Sequence, residues 1–235
     1  MDRFKLVVFD LDGTLVNVDS IWRFLHMKLG TWSRAKLYAE MFYRGEIDYA
    51  TWARLDVSLW RGVPFKLIEE FILEIGYVED AYETINWFKK SGCKVGVISA
   101  GLSVLAEKAM VDFNLDFAEA NRLIVRDGLL TGEVDVTVAH NKKDKVLDNV
   151  IRRFGVGREE CIAIGDDESN ISLFKAVGLS VAFNPTSKEV AENANIVVFG
   201  RLSNIVSKLV EFLSKHSFSR PTSTETKIQS FNSSP

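Results

Sequence analysis

The sequence predicts an α/β fold: an open, doubly wound parallel sheet with an α-helical domain inserted near its start. Three observations carry this expectation. Five short apolar runs bounded by turn residues, at residues 4–9, 94–98, 161–164, 179–183 and 195–199, have the length and unbroken hydrophobicity of strands buried on both faces. Helical periodicity separates them, and strand–helix alternation belongs to a parallel sheet covered on both sides. From residue 20 to about residue 75 the alternation stops and the pattern is helical throughout.

The elements follow in chain order. After the first strand, Ser20, Thr31 and Asp48 are N-cap candidates and Pro64 suits a first helical position, so the stretch reads as four short helices forming a small bundle. A helix over 80–90 closed by Gly92 leads into the second strand. In residues 122–136, Leu123-Ile124-Val125 and Leu129-Leu130 flank Asp127-Gly128, a pair suited to a tight hairpin turn at a sheet edge or in a flap. Helices over 143–154, 168–177 and 187–192 alternate with the remaining strands, and an amphipathic helix over about 202–213 closes the pattern. Gly92, Gly155 and Gly178 are expected as left-handed helix caps. The Ser-, Thr- and Pro-containing stretch 214–235 is expected to be a mobile tail. The domain expectation is a core of residues 1–16 and 77–213, an α-helical cap of residues 17–76, and that tail.

Composition narrows the function class. With 47% hydrophobic and 26% charged residues among 235, the chain is an ordinary soluble globular protein. A net charge of −3 gives no whole-chain case for nucleic-acid binding. Cys93 and Cys161 sit far apart at the starts of apolar runs and read as buried small residues of a reducing compartment. No charged-then-apolar leader opens the sequence, and no run approaches the roughly 20 residues of a bilayer span. A cytoplasmic protein without a membrane partner is expected, as a monomer or homodimer.

In an open parallel sheet, ligands bind beyond the carboxyl ends of the strands. The first run ends in Asp10-Leu11-Asp12-Gly13-Thr14, the second in Ser99-Ala100-Gly101, the third in Gly165-Asp166-Asp167-Glu168-Ser169-Asn170. A Lys-rich helix start, Lys142-Lys143-Asp144-Lys145, precedes the third. Carboxylates at two strand ends with a serine and a lysine suit a hard divalent cation and a phosphoryl group, and Mg²⁺ fits such donors. A cation is required, because a phosphate beside these carboxylates meets about 4 kcal/mol of repulsion per pair at 4 Å, even at an effective dielectric of 20.

These four motifs together resemble the haloacid dehalogenase superfamily of phosphatases, which have a Rossmann-like core, over almost the whole chain to about residue 200. Within it they are most similar to phosphoserine phosphatases, which the stretch 120–133 also resembles. The resemblance implies that Asp10 attacks phosphorus and forms an aspartyl-phosphate, and that Asp12 protonates the leaving alcohol and then activates water. It implies that Asp10, Asp166 and the Asp12 backbone carbonyl hold Mg²⁺; Asp167, a departure from the family's pattern, is a further candidate ligand that would compensate for the charge missing at Asn170. Thr14, Ser99, Ala100, Gly101 and Asn170 would face the phosphorylated substrate, and a lysine would neutralise its charge. Counting along the following helix favours Lys143 over Lys142, with Lys145 third.

Departures from the family concern the substrate. Asp167 stands where the fourth motif has glycine, and Ser169-Asn170 where it has Asn-Asp. Asp19 takes the place of a glutamate that faces the substrate amino group, Tyr49 lies near that of a phenylalanine, and registration on Pro64 puts Asp56 where an arginine binds the substrate carboxylate. In that register a cationic or neutral phosphomonoester is favoured over phosphoserine. Trp22, Trp32, Trp52 and Trp60 all fall in the inserted helices; with an acid they suit a quaternary ammonium such as phosphocholine, and otherwise they fill the bundle's core. The expected partner is therefore a small phosphorylated metabolite. Phosphotransfer to another alcohol and a catalytically silent binding protein are the competing readings. Retention of both Asp10 and Asp12 argues against silence, since a binding protein gains nothing from their repulsion. A serine-hydrolase elbow and a P-loop are both absent from the sequence. Segments near residues 16–17 and 76–77 are the expected hinges of the cap.

Overall fold

Successive side chains of the first strand point into two different apolar layers, and the rest of the molecule is built outward from that alternation. The structure, a computed structural model, describes residues 1 and 3–216. Among them, β1 (Leu6–Phe9), β2 (Lys94–Leu102), β3 (Phe117–Arg126), β4 (Leu129–Asp135), β5 (Cys161–Gly165), β6 (Leu179–Phe183) and β7 (Ile196–Val198) form one sheet in the order β4-β3-β2-β1-β5-β6-β7. Every neighbouring pair is parallel except the β3–β4 hairpin.

Val7 and Phe9 pack into the layer that holds α5 (Ala81–Lys90), α6 (Ser103–Asp112) and α10 (Asn204–His216), where the rings of Phe9 and Phe88 meet edge-on at 5.8 Å. Leu6 and Val8 pack on the other side against α7 (Lys143–Phe154) and the short α8 (Ile171–Phe174). Burial on both faces explains why β1 reads as a continuous apolar run, each such side chain contributing about 1.5–3 kcal/mol. The sheet is wound in opposite directions from β1, with β2 on one side and β5 on the other, so the crevice beyond their carboxyl ends is the topological switch point. After β6, α9 (Lys188–Glu192) crosses to β7.

Between β1 and α5 lie α1 (Ile21–Lys28), α2 (Trp32–Tyr43), α3 (Tyr49–Ser58) and α4 (Phe65–Leu73). Ser20 and Asp48 cap α1 and α3 with their side chains, as their types suggest. Thr31 makes no side-chain cap, because its hydroxyl lies 2.7 Å from Nδ1 of His26, and Pro64 stands one residue earlier than expected, at the N-cap of α4. Two attachments join these helices to the sheet. The chain enters and leaves through paired segments, with Asn17 N–H donating to Gly76 C=O (3.0 Å) and Val78 N–H to Leu15 C=O (2.9 Å). Farther along, Gly62 N–H donates to Leu130 C=O (2.8 Å), Leu130 N–H to Val63 C=O (2.9 Å) and Phe65 N–H to Gly128 C=O (2.8 Å), so this stretch adds itself to the β4 edge.

Three local expectations are corrected. Gly92 and Gly155 are left-handed caps, but Gly178 is not among the positive-φ glycines; it is required because a Cβ would lie 2.2 Å from the Glu159 carbonyl oxygen. The helix expected over 168–177 is a single 3₁₀ turn, Glu168–Asn170, followed by α8. Helix α6 and the parallel first half of β3 were not anticipated. The hairpin turn at Asp127-Gly128 is present, with φ of 52° and 76°, and β4 forms the sheet edge. The expected tail falls, from residue 217 onward, outside the described residues, while residues 214–216 complete α10. Cys93 and Cys161 are buried free thiols. Among the described residues no helix is long and apolar enough to cross a membrane.

Candidate active site

The ladder between β1 and β5 runs one residue past β1: Asp10 N–H donates to Ile164 C=O at 2.8 Å, which fixes Asp10 in the switch-point crevice. Its Oδ1 accepts the Leu11 N–H (2.7 Å), and its Oδ2 accepts from Lys143 Nζ and from Asn170 Nδ2, each at 2.6 Å. Burial pushes the Asp10 carboxyl up, and Lys143 opposes that shift. Lys143 is itself fully buried in the first turn of α7 and also donates to Asn170 Oδ1 at 2.8 Å. Lys142 and Lys145 are exposed. The counting along the helix therefore picked the one lysine of the three that reaches Asp10.

The turn after Asp10 closes through Leu15 N–H to Leu11 C=O (2.9 Å) and needs glycine at its apex: Gly13 has φ 70°, and a Cβ there would lie 2.3 Å from Asp166 Oδ2. Thr14 donates its hydroxyl to Asp166 Oδ1 (2.8 Å), so it orients a carboxylate and does not face the cavity. Gly165 likewise gives way to Asn170, whose Cγ would be 2.4 Å from a Cβ. Asp167 accepts from Ser169 N–H (3.0 Å), Ser169 Oγ (2.6 Å) and Asn170 Nδ2 (2.9 Å), which pins the 3₁₀ turn.

Asp10, Asp166 and Asp167 each offer a carboxylate oxygen within 4.8 Å of the others. Burial first, then the charges of Asp10 and Asp167, raise the Asp166 carboxyl to about 8. Three crowded carboxylates facing one lysine make an unfavourable arrangement that a hard, oxygen-preferring dication relieves, so the donor set fits Mg²⁺. The Asp12 carboxylate belongs to a different environment. Its Oδ2 accepts the Ile21 N–H (2.8 Å) at the start of α1, and its Oδ1 is buried without a hydrogen-bond partner. Burial raises this carboxyl to about 7, with the Ile21 N–H pulling the other way. That value suits a group that must both give and take a proton near neutrality.

Ser99, Ala100 and Gly101 lie where the β2–β3 register shifts between Ile98 and Leu102. Gly101 N–H donates to Ser99 Oγ (2.9 Å), and the Ala100 carbonyl accepts from Trp22 Nε1 (3.1 Å), Asn121 Nδ2 (2.9 Å) and the Tyr49 hydroxyl. Asn121, fully buried, also bonds Val138 in both directions and donates to the Tyr49 hydroxyl at 3.2 Å. It was not anticipated as a site residue, and with Glu119 and Arg122 near it nothing in the local sequence sets it apart.

Asp10, Asp12, Ser99, Gly101 and Asp167 share a cavity of about 120 Å³ with Asp19. Tyr49, Trp22 and Trp52 line it too, as do Tyr43 and His140, neither of which was singled out as a site residue. His140 lies in a turn five residues beyond the end of β4, so inspection of strand ends does not reach it. Asp56 is not brought there. It is buried inside the helical bundle with Oδ2 3.3 Å from His26 Nε2, and His26 Nδ1 in turn accepts from Trp60 Nε1 at 3.1 Å. Trp60, fully buried and stacked on Trp22 at 5.9 Å, is a core tryptophan; Trp32 lies under the Arg23 guanidinium at 5.4 Å.

Residues 7–175 match the model of the haloacid dehalogenase-like hydrolases. A phosphoserine phosphatase of Methanocaldococcus jannaschii is 36% identical over 191 residues, 80% of this chain and 90% of that protein. A phosphoserine phosphatase of Archaeoglobus fulgidus is 30% identical over 190 residues, and there the chain spans about half (54%) of the relative's length. Among solved structures, a phospho-aspartyl intermediate analogue of phosphoserine phosphatase superposes with a TM-score of 0.76 at 34% identity, over 87% of this chain and 98% of that one.

Proposed function

The chain belongs to the haloacid dehalogenase-like hydrolases, and from that membership we propose that it is a Mg²⁺-dependent phosphatase that hydrolyses a small phosphomonoester through an aspartyl-phosphate on Asp10. The observation that carries the reading is the pairing of two unlike carboxylates on one turn: Asp10 held by Lys143 at 2.6 Å, and Asp12 with a free, buried Oδ1 and a carboxyl raised to about 7. Burial raises both carboxyls, and what separates them is their partners: the Asp10 carboxylate is held by Lys143 and Asn170, while the Asp12 carboxyl keeps one oxygen free to exchange a proton.

In this mechanism a carboxylate oxygen of Asp10 attacks phosphorus, the bond to the ester oxygen breaks, and Asp12 protonates the departing alkoxide. Asp12, now deprotonated, takes a proton from water. That water attacks phosphorus, the bond to Asp10 breaks, and inorganic phosphate leaves. Lys143 and the Ser99 hydroxyl stabilise charge on the phosphoryl oxygens. Asp10, Asp166 and Asp167, with the Asp12 backbone carbonyl, would hold Mg²⁺, which supplies charge neutralisation for the phosphate dianion. Asn170 keeps Lys143 and Asp10 aligned. Helices α1–α4 would act as the cap over the site, hinged at the paired segments near residues 16–17 and 76–77.

The test is phosphate release from a phosphomonoester panel, with Mg²⁺ and with chelator. Asp10→Asn should abolish turnover, and Asp12→Asn should lower kcat by about 10²–10⁴. Metal-independent turnover, or an Asp10→Asn protein that still turns over, would overturn the mechanism.

A further inference from the structure

The cavity's organic end has a composition that speaks about its ligand. Trp22, Tyr43, Tyr49 and Trp52 line it beside the exposed carboxylate of Asp19. Tyr49 and Trp52 stand perpendicular, with ring centroids 5.6 Å apart and an interplanar angle of 87°, and the Tyr43 ring is 6.2 Å from Trp52, tilted by 53°. The exposure of Tyr43, 73%, marks it as a ring held at the mouth and not as core packing.

Among the described residues, no lysine or arginine lines this cavity. Lys143 is committed to Asp10 and Asn170. Arg54, two residues from Trp52, lines a separate depression beside β4 with Glu133 and Asp135. His140, the remaining basic side chain of the lining, is held toward its neutral form by burial. A carboxylate on the substrate would therefore meet Asp19 and Asp12 with no counter-charge, whereas an ammonium would meet aromatic faces and an acid.

Resting on the phosphatase reading above, we propose that the substrate is the phosphomonoester of an amino alcohol that carries an ammonium group, bare or methylated, and no carboxylate, with the cation seated among Tyr43, Tyr49, Trp52 and Asp19. Aromatic faces attract such cations, most strongly where water is excluded, and a carboxylate at the rim adds to the attraction.

The experiment compares kcat/KM of the full chain with Mg²⁺ on phosphocholine, phosphoethanolamine, phosphoserine, p-nitrophenyl phosphate and the neutral isostere of phosphocholine in which carbon replaces nitrogen. At least one of the two cationic esters should exceed the isostere by about tenfold or more, chiefly through KM, and should exceed phosphoserine. Trp52→Leu and Asp19→Asn should each move the cation-to-isostere ratio toward one, a readout internal to each variant. An isostere as good as both cations, or phosphoserine as the best substrate, would overturn the inference while leaving the phosphatase intact. Failure to hydrolyse p-nitrophenyl phosphate or any other ester, with the fold verified by circular dichroism, would overturn the phosphatase reading and this inference with it.

Discussion

Replacing Lys143 by methionine isolates the electrostatic problem on which the site is built. The side chain keeps much of its volume, so the packing under α7 survives, but Asp10 loses the ammonium 2.6 Å from its Oδ2. At that separation and an effective dielectric near 20 the gross attraction is about 6 kcal/mol, much of it offset by the cost of desolvating both ions. Removing one partner leaves that cost in place without its compensation, which in buried pairs costs about 3–5 kcal/mol. For a chain of this size each kcal/mol shifts Tm by about 2–4 °C, so a fall of roughly 6–20 °C is expected.

A double variant decides whether the charge or the side chain matters. Asp10→Asn with Lys143→Met removes both ions and should recover more than half of the lost stability, measured by urea denaturation in the presence of chelator so that no cation substitutes for lysine. The sign with pH is also fixed. In the parent burial already raises the Asp10 carboxyl and Lys143 opposes it; without Lys143 the carboxyl rises further, so the variant's deficit is smallest in acid and widens as pH climbs from the parent's raised value toward the variant's higher one, by up to about 1.4 kcal/mol per pH unit. A double variant no more stable than the single one, or a deficit that narrows as pH rises, would refute the reasoning.

Other expectations follow from single contacts. Gly13→Ala combines a left-handed backbone with a Cβ 2.3 Å from Asp166 Oδ2, so Mg²⁺ affinity measured by titration calorimetry should fall by about tenfold or more; unchanged affinity would remove Asp166 from the metal set. Asp56→Arg forces a long cation into the bundle core beside His26 and should destabilise the protein by about 3 kcal/mol or more, without creating phosphoserine specificity; a stable variant with improved phosphoserine turnover would mean that position 56 can reach the cavity. Burial raises the Asp56 carboxyl, so its contribution is most favourable in acid and declines as pH rises from the ordinary carboxylate value through the raised one. Asp56→Asn should therefore gain stability relative to the parent as pH increases, read from urea midpoints at several pH values. A disulfide between cysteines at positions 16 and 77, which form an antiparallel bridge, should slow turnover of the bulkiest accepted esters and recover on reduction; equal rates in both redox states would sink the hinge.

What was legible in the sequence was what local chemistry dictates. Two-sided burial made β1, β5 and β6 visible as apolar runs, and strand ends were worth inspecting because the fold class puts ligands there. Lys143 was legible by helical counting, since Val146, Leu147 and Val150 mark the buried face of α7 and Lys143 lies one turn before them on it. Helix α6 was hidden because β2 runs on through Ser99-Ala100-Gly101 to Leu102 and Ser103–Asp112 follows it directly, with no side-chain cap to mark the start of the helix. The first half of β3 carries Glu119 and Asn121 in a parallel strand, which breaks the expected pattern; Asn121 is there to bond Ala100, Tyr49 and Val138 across elements far apart in sequence. Asp56 could be assigned to a register but not to a face. Only the partner on α1, His26, decides that it turns inward, and nothing local to α3 announces that pairing.

The departures at positions 167 and 170 become one feature once the geometry is known. An aspartate at 170 could accept from Lys143 as Asn170 does, but it would have no N–H to give, and the amide donates at once to Asp10 Oδ2 and Asp167 Oδ1. With Asp167 already within 4.8 Å of Asp10 and Asp166, a further carboxylate would add repulsion to a cluster in which burial, and after it the charges of Asp10 and Asp167, already raise the Asp166 carboxyl. The extra acid at 167 and the amide at 170 thus keep the local charge constant while moving it from a position beside Lys143 to one lining the cavity. The organic end, lined by residues of α1, α2 and α3 with Asp19, holds aromatic rings and an acid and, among the described residues, no lysine or arginine, and it is on this end that the proposed preference for a cationic ester rests.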